Sequence, residues 1–457
     1  MAQPSSFTGD GDAGAARGEP RSSQAFMRAR GVFPDGTTRV TVERDPVPRY
    51  MHHGEGAYLI DVDGRRFLDL NGNFTTLIHG HAFAPVTEAV TLQMRSGSCF
   101  ASPTEAEIAL AELLCGRIPR LDRIRFVNTG TEAVMFAIKA ARAFTGRSCI
   151  AKLEGAYHGA YDWVEVSQSA EPAVWGPPER PASLSYYPGM PRSVLDETVV
   201  LRFNDVELAC RLIAERAGDL AAVLIDPMPS RGGLIAPDPE FIGAIHETCR
   251  ARGILIISDE VLNLRQGYRG ASARYGLRPD LFAMGKIIGG GLPIGAIGGR
   301  EDVMAVFNAD SGKPILPQGG TFSANPLSMV AGLAAMSALD EDAFARLEGL
   351  GTKLRSRLAA AIEARGAPFC VTGAASLFRI HPRREVPREF RDAYVGPKAA
   401  VVMKELGRAF AENGIVFPSG AAACLSTPMG EPEIALVADA FEAFLDGRPD
   451  LIQSIAD

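Results

Sequence analysis

Apolar residues follow two rhythms through most of the chain. From about residue 105, short and largely apolar runs alternate with longer stretches whose apolar residues fall three or four apart. IRFV (124–127), CIAKL (149–153), TVVLRF (198–203), AAVLID (221–226), ILIISD (254–259) and DLFAMG (280–285) read as strands. EAEIALAELLCGRI (105–118), the stretch following NTGT (128–147), DVELACRLIAERAG (205–218) and PEFIGAIHETCRARG (239–253) read as helices. Uninterrupted apolar strands need cover on both faces. Their alternation with helices predicts an α/β unit with a mostly parallel sheet. In such sheets ligands bind beyond the carboxyl ends of the strands.

Both ends of the chain read differently. AYLIDVDGRRFLDL (57–70) alternates around Asp63-Gly64, a turn dipeptide, and predicts a β-hairpin. From about Asn325 a long helical pattern (326–366) precedes short strands at 376–381 and 414–418 and a last helix at 431–447. Residues 1–24 hold almost nothing apolar and read as a disordered tail. The expected organisation is a tail (1–24), a first piece of a small domain (25–75), a large domain (76–323), and a C-terminal α+β domain (324–457).

Composition narrows the classes. Lys plus Arg number 47 and Asp plus Glu 54, a net charge of −7, which argues against a general nucleic-acid binder. No apolar run approaches the ~18–20 residues of a membrane-spanning helix, and the first residues lack the apolar core of a secretory signal. Seven scattered cysteines, with no C-x-x-C pair, read as buried thiols in a reducing cytoplasm rather than a disulfide framework or a metal site. The 48 glycines exceed an average share of about 7% and follow no collagen-like period, so they point to tight loops and close backbone approaches.

Four strand ends carry polar residues. After IRFV come Asn128, Thr129, Gly130 and Thr131 at the start of a helix, where backbone N–H groups and hydroxyls suit a phosphate. The same threonines read equally as helix caps. After IAKLEG come Tyr157 and His158, an aromatic placed to stack on a planar ligand or to join the core. Asp259 ends a buried strand, where a carboxylate needs a partner, and Val261 follows it. Lys286 ends the next strand and precedes three glycines. A phosphate cradle, an aromatic, a carboxylate and an amine along one rim are the four groups required by pyridoxal 5′-phosphate, a planar phosphorylated aldehyde.

The sequence resembles the class III (ω-type) aminotransferases of pyridoxal-phosphate fold type I, in the branch of the glutamate-1-semialdehyde aminomutases and β-amino-acid aminotransferases. The likeness spans about residues 28–445. It rests on GEGAYLIDVDGRRFLDL (54–70), RFVNTGTEAVMFAIKAARAFTGR (125–147), EGAYHG (154–159), ISDEV (257–261), DLFAMGKIIGGGLPIGAIGGR (280–300) and GGTFSANPLSMVAG (319–332). The resemblance implies a large domain with a small one built from both chain ends. It makes Lys286 the Schiff-base lysine and proton shuttle, and Asp259 the partner of the pyridinium nitrogen. Gly130 and Thr131, with Thr129 beside them, would bind phosphate. Tyr157 would stack on the ring with His158 beside it, and Val261 would pack on the other face. Thr321 would reach the phosphate of a neighbouring subunit, which implies a homodimer with shared active sites. Arg39 would hold a substrate carboxylate, for which a guanidinium is suited.

The sequence also departs from the family. Asp226-Pro227 stands where Glu-Pro is usual. Arg231, in MPSRGG, falls near the position from which relatives approach the cofactor's 3-hydroxyl, and it would contact either that oxygen or a substrate acid group. FPSGAAACLSTP (417–428) lacks the arginine that some β-amino-acid aminotransferases carry there. The implied activity is ping-pong transfer of an amino group between an amino acid or β-amino acid and a keto acid or aldehyde. The alternative is an intramolecular aminomutase of the glutamate-1-semialdehyde type, with the Gly/Pro/Ser-rich stretch 166–197 as its gating loop.

Overall fold

Seven strands form the central sheet of the computed structural model, which describes residues 20–44, 46–418, 420 and 422–455. They are β1 (Arg123–Val127), β2 (Cys149–Leu153), β3 (Thr198–Leu201), β4 (Leu220–Ile225), β5 (Leu255–Asp259), β6 (Leu281–Gly285) and β7 (Gly295–Gly299). Their spatial order is β1-β7-β6-β5-β4-β2-β3. From β6 through β3 every neighbour is parallel. β7 runs antiparallel to both β1 and β6.

The strands are apolar throughout because each face has its own cover. Ala222 and Leu224 of β4 pack with Ala133, Val134 and Ala137 of the helix Gly130–Thr145. Val223 and Ile225, on the opposite face, pack with the helices Val206–Glu215 and Pro239–Arg250. A period of two places successive residues on opposite faces, so burying both faces removes any polar alternation.

β7 was not anticipated. Its sequence, GAIGG, has little β propensity, and the neighbours explain the glycines. A Cβ on Gly295 would lie 2.0 Å from the Thr129 carbonyl oxygen, and one on Gly298 would lie 2.6 Å from that of Arg123. Close backbone approach, not propensity, selects this strand.

Both chain ends meet in a second sheet. Met51–Glu55, Tyr58–Asp61 and Arg66–Asp69 run antiparallel in sequence, and Ile415–Val416 adds to the last of them in parallel. The Tyr58 hydroxyl donates to Glu433 Oε1 at 2.8 Å, tying the hairpin to the last long helix, Glu431–Gly447. Cys370–Thr372, Leu377–His381 and Ala423–Cys424 form a third sheet. The pattern at 326–366 is two helices, Pro326–Ser337 and Glu341–Arg365, because Asp340 caps the second by accepting from the Ala343 amide at 2.8 Å.

The expected tail needs correction at its end. Residues 1–19 lie outside the described residues, but Arg21–Ala29 is helical. Asp63, in the hairpin turn, accepts from the Arg21 and Ser22 amides at 2.8 and 3.4 Å, and a distant carboxylate thus satisfies the helix start. Among the described residues, no helix is long and apolar enough to cross a membrane.

Candidate active site

The parallel strands end along one rim, and the residues singled out from the sequence gather there. β1 leads into the helix Gly130–Thr145. Thr129 Oγ1 accepts from the Glu132 amide at 3.1 Å while Glu132 Oε2 accepts from the Asn128 amide at 2.6 Å. This reciprocal cap engages the Thr129 hydroxyl and leaves the amides of Gly130 and Thr131 at the helix start, where no intrahelical acceptor exists. Thr131 Oγ1 accepts from the Ala160 amide at 3.2 Å, and a Cβ on Gly159 would stand 2.3 Å from that oxygen. The turn is therefore fixed against the segment carrying Tyr157 and His158. A Cβ on Gly130 would lie 2.8 Å from Val261 Cγ1, so the first helical residue, Val261 and the end of β6 are packed with no room for a methyl group.

Asp259 is buried at the end of β5. Its Oδ2 lies 2.6 Å from His158 Nδ1, and its Oδ1 accepts from the Val261 amide at 2.9 Å. Burial holds His158 below the ordinary imidazole range, against the pull of Asp259. A neutral imidazole beside a carboxylate carries its proton on Nδ1. Its Nε2 is buried with no hydrogen-bond partner among the described residues.

Lys286 begins the turn Lys286–Gly289 with φ at +50°, a left-handed conformation that strains a residue bearing a side chain. Burial depresses its amine from the ordinary lysine range, partly offset by Asp259 and Asp226. The loop beyond is glycine for steric reasons. A Cβ on Gly289 would meet Ile294 at 2.4 Å and one on Gly290 the Ala331 carbonyl at 2.5 Å.

Asp226 emerges as a member of the site that the sequence had marked only as a departure from Glu-Pro. Adjacent register puts it beside Asp259 at the end of β4. Its Oδ1 accepts from Asn263 Nδ2 at 2.5 Å and the Met228 amide at 3.0 Å. Gln266 Nε2 donates to Asn263 Oδ1 at 2.6 Å and Tyr275 to Gln266 Oε1 at 2.7 Å, which fixes both amides. Burial and the Asp259 charge push the Asp226 carboxyl up to about 8. A carboxyl raised in the folded chain keeps a proton that the unfolded chain has released. Its contribution is therefore most favourable at low pH and is lost as pH rises from about 4 towards 8. Asp226→Asn should flatten the fall in melting temperature of cofactor-free protein between about pH 5 and pH 8. An unchanged slope would show that another group sets it.

Tyr157 is half-exposed, with the Arg231 guanidinium carbon 4.8 Å from its ring centre. The small sheet grips the Arg231 segment: Arg379 Nη1 donates to the Ser230 carbonyl at 2.7 Å, and the Thr372 hydroxyl to that of Gly233 at 2.7 Å. Arg39 is exposed. Its Nη1 donates to Asn73 Oδ1 at 2.9 Å and its guanidinium carbon lies 5.6 Å from the Phe74 ring centre. Thr321 is exposed on the loop before Pro326–Ser337.

Sequence reading missed Arg265 and the turn it holds. Gly72, Asn73, Phe74 and Thr75 are all left-handed, with φ of 53°, 50°, 56° and 69°. Such a conformation costs about 1–2 kcal/mol per residue with a side chain. Arg265, fully buried, donates from Nη1 to the Thr75 carbonyl at 2.8 Å, from Nη2 to that of Leu425 at 2.5 Å and from Nε to Ser376 Oγ at 3.1 Å. Asn71-Gly72, a turn dipeptide, and Asn73, which tolerates the left-handed region, were the local signals for this turn. Among the described residues, no group of three His, Cys, Asp or Glu side chains is placed to hold a metal ion.

Comparison with known proteins adds four findings. The family model described as "Aminotransferase class-III" matches residues 40–443. A protein named glutamate-1-semialdehyde 2,1-aminomutase, from Methanopyrus kandleri, is 37% identical over 431 residues, covering 93% of this chain and 97% of that protein. Among solved structures, an omega-transaminase from Sphaerobacter thermophilus is 47% identical with a TM-score of 0.90, covering 93% of this chain and 97% of that one. A β-phenylalanine aminotransferase from Variovorax paradoxus is 32% identical with a TM-score of 0.84 and covers 95% of each chain.

Proposed function

We propose a substrate class and residue roles for this chain, which belongs to the class-III aminotransferase family and is a pyridoxal-phosphate-dependent enzyme of amino-group transfer. The donor is an amino acid or β-amino acid, and the acceptor an external keto acid or aldehyde. The observation that carries this reading is the meeting of three groups on one rim: a buried low-pKa amine (Lys286), a carboxylate clamped by His158 (Asp259), and the open helix start at Gly130 and Thr131. These groups match the aldehyde, the ring nitrogen and the phosphate of the cofactor.

When bound, pyridoxal phosphate supplies an electron sink for the pair left by a broken C–H bond. The other steps belong to the chain. Gly130 and Thr131 would hold the phosphate through their amides. Asp259 Oδ2, oriented by His158, would hold the proton on the ring nitrogen. Val261 and Tyr157 would pack against the ring. Lys286 Nζ would anchor the cofactor through its aldehyde and would take and return the proton of the substrate C–H bond. Burial favours the neutral form of that amine, the form that acts as base. Arg39 receives the substrate carboxylate, and Arg231, above Tyr157, lines the pocket edge as a second cation for an acid group or the cofactor's 3-oxygen.

Transamination is preferred to an intramolecular aminomutase on one observation. The stretch 166–197, the candidate gate, is fastened. Arg391 is paired with buried Glu154 at 2.8 and 3.0 Å and donates to the carbonyls of Trp175 and Gly176 at 3.1 and 3.2 Å. Tyr394 donates to Glu171 at 2.9 Å, and Trp175 packs edge-on against Phe390 and Tyr394. A gate that opens every turnover draws on weakly held segments, whereas this one is bound at several points.

The enzyme acts as a homodimer in this reading, with Thr321 reaching the phosphate held by a second copy. Supporting this, Ala84–Ser96 has no fully buried residue, and Leu92, Phe100 and Phe322 are exposed on it and on the loops that Asn325 joins by donating to the Ser98 carbonyl at 3.2 Å. A reducing, cytoplasmic setting fits seven unpaired cysteines. The deciding test mixes enzyme and amino donor with and without an added keto acid. Multiple turnovers should require the acceptor. Sustained isomerisation of a single amino-aldehyde without it would establish the aminomutase instead.

A further inference from the structure

We infer that Asn73 and Phe74, held in the left-handed turn Gly72–Thr75, are the selector for a carboxylate on the substrate, because they preset the guanidinium of Arg39. The inference rests on the reading of Arg39 as the carboxylate receiver.

Four consecutive left-handed residues, three of them with side chains, do not persist unless the surroundings over-determine them. Here they do so from both sides. Asp69 Oδ1 accepts from the Asn71 and Gly72 amides at 2.9 and 3.0 Å, and His81 holds the other oxygen at 2.8 Å. Asn71 Oδ1 accepts from the Phe74 amide at 2.5 Å, and the Asn71 carbonyl from the Thr75 amide at 2.8 Å. Arg265 closes the turn at the Thr75 carbonyl. Arg265 is six residues beyond Asp259, so the segment leaving the catalytic strand also fixes this turn.

The product of that effort is the display of two side chains towards Arg39. Asn73 Oδ1 takes one guanidinium hydrogen and the Phe74 ring lies beside the cation. A neutral amide orients the guanidinium without cancelling its charge. Among the described residues, no carboxylate pairs with Arg39, which leaves its other N–H groups and its full charge for an anion. The carbonyl of Arg39 is held in turn by the Thr37 hydroxyl at 3.0 Å and by Arg44 at 3.2 Å, so the backbone end is also fixed. The turn packs against residues that neighbour the site. A Cβ on Gly72 would be 3.2 Å from Cys424 Sγ, and one on Gly291, just past Lys286, would be 2.9 Å from Leu77. Cys424 and Arg265 are among the groups whose charges act on Lys286.

The test uses the cofactor-loaded enzyme with two donors, a β-amino acid and the matching amine without its carboxylate. Asn73→Asp places a negative charge on Arg39 and should raise KM for the β-amino acid at least about tenfold, with KM for the plain amine and both kcat values within about twofold. Asn73→Gly keeps the turn, removes the amide and should raise the β-amino acid KM about threefold. Melting temperature and cofactor absorbance report whether each variant is folded and loaded. Arg39→Ala is the reference. If it abolishes the preference for the carboxylate donor while neither Asn73 variant moves KM selectively, the selector is overturned. If Arg39→Ala leaves the preference intact, the reading of Arg39 fails, and the selector with it.

Discussion

Lys286→Ala should fold, keep its helix-start anion site and lose amino-group transfer by about 10⁴-fold or more. A positioned acid–base group contributes about 10²–10⁴-fold by itself, and Lys286 is also the covalent anchor. The residue is held left-handed at the end of β6 with its amine buried and under the influence of Asp259 and Asp226. Lys152, one residue from the end of β2, is already engaged: its amine is buried and donates to the carbonyls of Leu153 and Val166 at 3.0 and 2.9 Å. Single-turnover measurements with a saturating donor would read the loss. A small primary amine added to the variant should restore part of the rate, with larger restoration from more basic amines. A variant that retained more than about a hundredth of the activity would remove Lys286 from the proton transfer.

Asp259→Asn should lower kcat by about 10³-fold with a much smaller effect on KM. Removing one preorganised electrostatic group from an enclosed site costs about 10²–10³-fold, and here the group also sets the protonation of the atom it faces. The substitution keeps the side-chain shape and an oxygen able to accept from the Val261 amide. What it removes is the charge. His158 loses its carboxylate partner, and an imidazole, neutral or cationic, supplies no negative charge in its place. Asp259→Glu, which restores charge with a displaced oxygen, should recover part of the rate. Equal losses in Asn and Glu would assign the effect to geometry alone.

Much of this site was legible because strand ends announce themselves. A buried apolar run that stops at a polar residue needs a reason for the polar residue, and Asp259, Lys286 and Tyr157–His158 all stand at such stops. The alternation of runs and amphipathic stretches likewise predicted the parallel part of the sheet. The failures share a physical cause. Hydrophobic periodicity reports which side of an element is buried, and it is silent where backbone meets backbone. GAIGG became a strand because only glycine fits between Thr129 and the end of β6. NGNFT became a left-handed turn because Asp69, Asn71 and Arg265 hold it so. Ala84–Ser96 has no fully buried residue in the single chain, and its short stripe of Val86, Ala89 and Val90 is only half-buried. Asp226 looked like a substitution in a motif, and its pairing with Asp259 became visible only when the register of β4 and β5 was known.

The antiparallel strand β7 divides the molecule's capacity for change. It separates β1 from β6 within the sheet, yet the turn after β1 crosses its end and seats Gly130 against Gly285, where a Cβ would lie 3.6 Å from the Gly130 Cα. That contact is backbone against backbone and leaves no side chain to vary. The side chains proposed to grip substrate lie elsewhere: Arg39 on the N-terminal segment, Asn73 and Phe74 on a turn beyond the hairpin, Arg231 on the segment after β4. A lineage built on this plan can exchange its substrate one loop at a time while the cofactor's frame stays constant, and its glycine strand should tolerate the fewest replacements of any segment in the chain.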